Sequence, residues 1–112
     1  QFLFIRRSDT KIVGMIQVRH YFNEYLEKYS GHIGYSVRPS ERRKGYAKTM
    51  LKMALPFCNS IGLDKVLITC NEDNEGSERT IRANGGEFES IIFEPDEGVN
   101  LKRFWVKTDQ AN

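Results

Sequence analysis

The sequence predicts an α/β (α+β) fold: a mixed, mostly antiparallel β-sheet flanked by helices, with elements in the order β-β-β-α-β-α-β-β. Three observations carry this. Short β-prone runs bounded by turn residues occupy both ends of the chain, two interior segments have helical apolar spacing, and a nearly all-apolar run separates those two segments.

The first run, Phe2 to Arg6, is apolar and β-prone, and "SDTK" at 8–11 supplies turn chemistry before a second run, "IVGMIQVRH". Ile12, Gly14, Ile16 and Val18 alternate onto one face and Gln17 and Arg19 onto the other, which predicts an antiparallel hairpin. In "YFNEYLEKYS" the residues Tyr21, Tyr25 and Tyr29 recur every four positions, as in a short helix or an ordered aromatic loop that fills core or lines a pocket. "HIGYSV" at 32–37 is a third strand, ended by the extended bias that Pro39 imposes on Arg38. Ser40 is a candidate cap, and from Tyr46 the residues Ala47, Met50, Leu51, Ala54, Cys58 and Ile61 follow helical spacing. Pro56 predicts a kink or early loosening in that helix, and Gly62 stops it. "KVLITC" reads as a buried central strand, parallel to the third across the helical crossover. "NEGSERTIRANGG" is a second helix that ends at Gly85 or Gly86. "EFESIIFE" and "NLKRFWVK" close the chain as an antiparallel pair, with Phe104 and Trp105 as core and sheet-edge residues.

A chain of 112 residues has room for one domain, so residues 1–112 are read as a single unit. Apolar residues at 39% and charged residues at 29% exclude disorder. No apolar run approaches the roughly 20 residues of a membrane span, and no leader pattern is present, so the expected location is cytoplasmic and no membrane partner is expected. A net charge of +2 is too small for nucleic-acid binding by bulk electrostatics. Cys58 and Cys70 lack metal-ligand spacing and sit among apolar neighbours, which predicts buried reduced thiols and no metal. The abrupt entry into a strand at Gln1 predicts further sequence upstream, and exposed terminal strands allow a homodimer.

The segment "SVRPSERRKGYAKTML" does not follow local stability. Three adjacent cations repel, and glycine is a poor helix former just where a helix begins. A turn from strand into helix points unpaired N–H groups outward, the helix dipole adds about half a positive charge there, and glycine admits an anion without a Cβ in the way. The alternative is a solvated basic helix start. No Walker-type or Gly-x-Gly-x-x-Gly pattern is present, so the turn reads as a diphosphate-sized anion site of another kind.

The hexapeptide "RRKGYA", Arg42 to Ala47, resembles the Arg/Gln-x-x-Gly-x-Gly/Ala motif of the GNAT superfamily of N-acetyltransferases. "VLITCNEDN" is similar to the family's next strand, and "SERTIRANGGEF" to the helix and strand entry that follow. The resemblance covers roughly residues 1 to 107 and leaves out the family's first strand and the two helices after it. It implies a GNAT-like fold, acetyl-CoA as cosubstrate and an amine as acceptor. It also implies that main-chain amides from Arg43 to Lys48, through Lys44, Gly45, Tyr46 and Ala47, grip the pyrophosphate, with Arg42 at the motif's first position. Ser36 and Val37 would pair with the pantetheine arm like an added strand, and Asn71, Asn74 and Ser77 would border the gap between diverging strands. For the last three the alternatives are turn formation and helix capping.

Acyl transfer from a thioester to an amine needs a neutral amine, a polarised carbonyl and a proton for the departing thiolate. The resemblance implies direct attack in a ternary complex, with a backbone N–H near Val37 on the carbonyl. Many relatives carry a tyrosine on the second helix to protonate the thiolate, and this chain has Ile81 at the matching position. His32, Tyr35, Tyr46, Glu72 and the Tyr21–Tyr29 segment are therefore the candidate proton-handling groups. His32 is taken as the general base, since its strand leads to the anion turn and histidine titrates near neutrality. His20 has no evident role. A non-catalytic acyl-CoA-binding sensor or subunit is the alternative function. A small RNA-binding domain and acyl transfer through Cys70 fit less well, for want of an aromatic sheet face with cations and of His/Asp partners.

Overall fold

Strand β1 (Phe2–Ile5) turns through residues 7–9 into β2 (Ile12–Val18), and β2 pairs antiparallel with β3 (Ile33–Val37). These three form one sheet, in the order β1-β2-β3. In this computed structural model residues 2–19, 29–42 and 44–109 are described. His20, Tyr21, Tyr25 and Arg43 therefore lie outside the described residues.

After β3 a single 3-10 turn (Pro39–Glu41) leads to helix α1 (Tyr46–Ser60), then β4 (Lys65–Asn71), α2 (Glu75–Ala83), β5 (Glu87–Glu94) and β6 (Val99–Lys107). The second sheet is antiparallel throughout, in the order β4-β6-β5. The predicted element order and the α+β class hold. Both helices pack on strands, α1 on β2, β3 and β4, and α2 on α1 and β4. Ile16, Ile33, Met50, Leu51, Cys58, Val66, Ile68, Ile81, Phe104 and Val106 make the centre of the core. Both cysteines are free and buried.

Several expectations need correction. β3 and β4 make no ladder among the described residues; they touch at one end, through a bridge between Gly31 and Ile68, and each pairs otherwise only with its own sheet. The expected parallel portion is thus replaced by two edges that face each other. Trp105 lies on β6, the middle strand of its sheet, because β6 returns between β4 and β5. Ile12 is exposed and Val13 buried, since the pairing of β1 with β2 slips between Phe4 and Ile5. Such a slip sends the following side chains to the opposite face. The helix does not loosen early at Pro56, which lies inside α1, and it runs on to Ser60. Ser40 lies in the 3-10 turn, and the residue at the N-terminus of α1 is Gly45.

Candidate functional site

The two unladdered edges bound an open cleft of about 1380 Å³, lined by residues 33–37 of β3, residues 69–71 of β4, the start of α1 and the first turns of α2. The sequence-predicted residues Ser36, Val37, Arg42, Gly45, Tyr46, Ala47, Lys48, Asn71, Asn74 and Ser77 all line it. His32 does not belong to this wall.

At the mouth of the cleft, Gly45 has φ +81°, the left-handed region that a side chain resists, and no side chain caps α1. A Cβ built on Gly45 would meet no atom within 4 Å. The first turn of α1 thus presents amide donors to open space. Lys48 and Thr49 continue the turn: the Lys48 carbonyl accepts from Asn84 Nδ2 at 3.2 Å, and the Gly45 carbonyl accepts from Thr49 Oγ1 at 3.2 Å.

The basic turn is anchored from below by an acid. Glu41, 3% exposed, takes Arg6, Lys11 at 3.3 Å, Lys44 at 3.2 Å and Ser40 at 3.2 Å on its carboxylate. Burial opposes its charge, but Lys44, Lys11 and Arg6 outweigh that and pull its pKa down to about 2. Arg6 also donates to the Tyr46 hydroxyl at 3.3 Å, and Arg42 Nε donates to the Val37 carbonyl at 3.2 Å. Sequence reading missed Glu41, because an acid beside three cations looks like a solvated partner. The available signal was the matching pair Arg6 and Lys11 at the end of the hairpin.

The strand wall sorts the two predicted main-chain contacts. The Ser36 carbonyl lies 2.7 Å from a Cβ built on Gly14, so it is turned toward β2. The amide of Arg38 donates to Val13 on that same side. By strand alternation the backbone groups of Tyr35 and Val37 turn to the cleft. The Ser36 carbonyl thus faces β2, and the Val37 carbonyl on the cleft side accepts from Arg42 Nε.

Across the cleft, Asn74 caps α2 with its Oδ1 accepting from the Ser77 amide at 3.0 Å, and the Asn71 carbonyl accepts from the Asn74 amide at 3.0 Å. Capping therefore accounts for Asn74. Ser77 Oγ lies 2.6 Å from the Tyr35 hydroxyl. Glu72 is exposed, with Asn100 Nδ2 3.5 Å from its carboxylate.

His32 sits at the closed end. Its amide donates to the Leu67 carbonyl at 2.7 Å, and its Nδ1 accepts from the Leu67 amide at 2.8 Å. The acceptor Nδ1 fixes the proton on Nε2, so neutral His32 has neither nitrogen available to take a proton from an amine. Burial lowers its pKa further from the charged form. Among the described residues no group of three or more His, Cys, Asp or Glu could hold a metal ion, and no helix is long and apolar enough to cross a membrane.

A mixed fold with a basic glycine turn at the mouth of a cleft between separating strands agrees with the family comparison. The profile of the acetyltransferase (GNAT) domain matches residues 1–87, and the chain belongs to this family. Solved structures agree in fold. The ribosomal-protein-S5-alanine acetyltransferase from Vibrio fischeri superposes with a TM-score of 0.78 at 16% identity, over 96% of this chain and 61% of that one. A GNAT-family acetyltransferase from Bacillus anthracis gives 0.76 at 22% identity, over 95% and 64%. The yncA protein of Salmonella typhimurium, a putative acetyltransferase solved with acetyl-CoA, gives 0.69 at 14% identity, over 89% and 60%. The chain thus spans under two thirds of each of these proteins. No curated protein matches it.

Proposed function

We propose that the chain carries the acetyl-CoA site of an N-acetyltransferase, which moves an acetyl group to a primary amine by direct attack in a ternary complex. The observation that carries this reading is the uncapped start of α1 at the cleft mouth, where Gly45 leaves open space in front of the amide donors. A diphosphate suits that cradle: amides from Arg43 to Lys48 would hold it, with the dipole of a 15-residue helix behind them. The pantetheine arm would follow the free edge of β3 at Val37, bordered by Asn71 and Ser77. Acetyl-CoA supplies the thioester carbonyl that accepts the amine. The Val37 N–H would polarise that carbonyl as it gains negative charge. His32 has no part in this mechanism, because its Nδ1 is held by Leu67. The yncA structure with acetyl-CoA supports the cosubstrate. The acceptor is an amine of unassigned identity.

Ile81, at the position of the family's tyrosine, favours a second reading, a subunit that binds acyl-CoA without transferring from it. Thiol release measured with a panel of primary amines separates the two. Amine-dependent release of coenzyme A supports transfer. Calorimetric binding of acetyl-CoA with no release above hydrolysis for any amine would leave the binding subunit.

A further inference from the structure

We propose that Tyr35 is a catalytic residue of this transfer, the acid that gives its phenolic proton to the departing thiolate in place of a tyrosine on α2. The inference rests on the acetyl-CoA reading above. Tyr35 lies on β3 between Ile33 and Val37, on a strand face otherwise packed into the apolar core. A phenol in such a row must find a polar partner. It reaches across to α2, where its oxygen lies 2.6 Å from Ser77 Oγ.

Ile81 stands one helical turn after Ser77 on the same face of α2 and is fully buried. Helical side chains lean toward the helix N-terminus, so a tyrosine at 81 would carry its hydroxyl over the turn of residue 77. Tyr35 brings a hydroxyl to that same turn from the opposite wall. Tyr35, Ser77 and Val37 all line the cleft, and Tyr35 and Val37 stand two residues apart on the same strand. Burial pushes the Tyr35 phenol above its ordinary value of 10.0, and the Ser77 hydrogen bond opposes the shift, so the group keeps its proton at neutral pH, as an acid must.

The step balances as follows. The neutral amine nitrogen forms the C–N bond, the C–S bond breaks, and its electron pair leaves on sulfur. Tyr35 gives its proton to that sulfur, and the phenolate regains a proton shed by the acylated nitrogen, passed through the Ser77 hydroxyl or solvent. The products are an amide and free thiol.

Tyr35→Phe tests this with two readouts. Acetyl-CoA should bind within about twofold of wild type by calorimetry, while single-turnover thiol release slows about 10²-fold and the alkaline limb of its pH profile disappears. Independently of turnover, the thiol of bound coenzyme A, titrated by thiolate absorbance, should have its pKa raised by about one unit in the variant, because a donor to the thiolate is gone. A role confined to packing would not move that pKa. If Tyr35→Phe fails to fold, 3-fluorotyrosine at position 35 keeps the shape and makes the phenol more acidic, and the alkaline limb should move down with it. Unchanged rate, limb and thiol pKa in a variant that binds acetyl-CoA would overturn the Tyr35 assignment alone. Failure of the wild type to bind acetyl-CoA would overturn it together with the reading it rests on.

Discussion

Lys44 Nζ lies 3.2 Å from Glu41 Oε1, so a cation of the basic turn is already partnered by a buried acid of the same turn. Arg42 is likewise engaged, by the Val37 carbonyl. Arg42 and Lys44 thus brace the loop, and under the proposed function a diphosphate would rely chiefly on the amides of α1. Lys44→Ala should therefore weaken coenzyme A binding by less than about threefold, well under the tenfold that corresponds to about 1.4 kcal/mol. Glu41→Gln should lower the melting temperature by about 5 °C or more, since it strips the shared anion from Arg6, Lys11 and Lys44. Calorimetry and thermal denaturation read the two effects. A large affinity loss in Lys44→Ala would show that its ammonium contacts the ligand directly.

Gly45 separates strain from blockage. Its φ of +81° makes any side chain costly, while nothing within 4 Å would clash with a Cβ. Gly45→Asn tolerates the left-handed conformation and still places atoms in front of the amides. It should keep a near-native melting temperature and lose at least tenfold in coenzyme A affinity, about 1.4 kcal/mol. Gly45→Val should lose as much affinity and also cost about 1–3 kcal/mol of stability. Unchanged affinity in a folded Gly45→Asn protein would remove the anion site from α1.

Local patterns carried the elements, and long-range pairing carried what the sequence hid. Alternation and turn residues located β1, β2 and β3, and the glycine turn located the start of α1 at Tyr46. The place of β6 between β4 and β5 was not legible, because strand order depends on which edges find each other and not on chain order. His32 read as a neutral-pH base because its partner, Leu67, lies 35 residues away. Glu41 and the Tyr35–Ser77 contact were hidden for the same reason. The alternation that puts Tyr35 in an apolar row was visible, and the hydroxyl that satisfies it was not.

The seam at Gly31 should be intolerant of even a methyl group. A Cβ there would sit 2.4 Å from the Leu67 carbonyl oxygen, a backbone atom that cannot rotate away, and φ is +72°. Gly31→Ala should cost about 2–4 kcal/mol, from left-handed strain plus overpacking, read as a lower denaturation midpoint. A midpoint equal to wild type would mean that the two sheets are not held together at this point.

The seam should also make stability depend on pH through His32. Burial lowers the His32 pKa from 6.5, so above that pH both the folded and unfolded chains carry it neutral and it contributes no pH dependence. Below 6.5 the unfolded chain binds a proton that the folded chain resists, and stability falls as pH drops toward the lowered folded value. Protonation would also put a proton on Nδ1, turning the acceptor for the Leu67 amide into a donor facing a donor. Glu41 and Asp9, with pKa values held at about 2, stay ionised across this range in the folded protein and lose their stabilising pairs only at more acidic pH. Between pH 7.5 and 5 the wild-type melting temperature should therefore decline, and His32→Gln, whose side-chain oxygen can accept from Leu67 without titrating, should decline less. His32→Ala should be destabilised at every pH, by about 1–3 kcal/mol for the buried amide left without its acceptor. Melting curves for the three proteins at stepped pH decide it, and parallel wild-type and His32→Gln curves would show that His32 does not titrate at the seam.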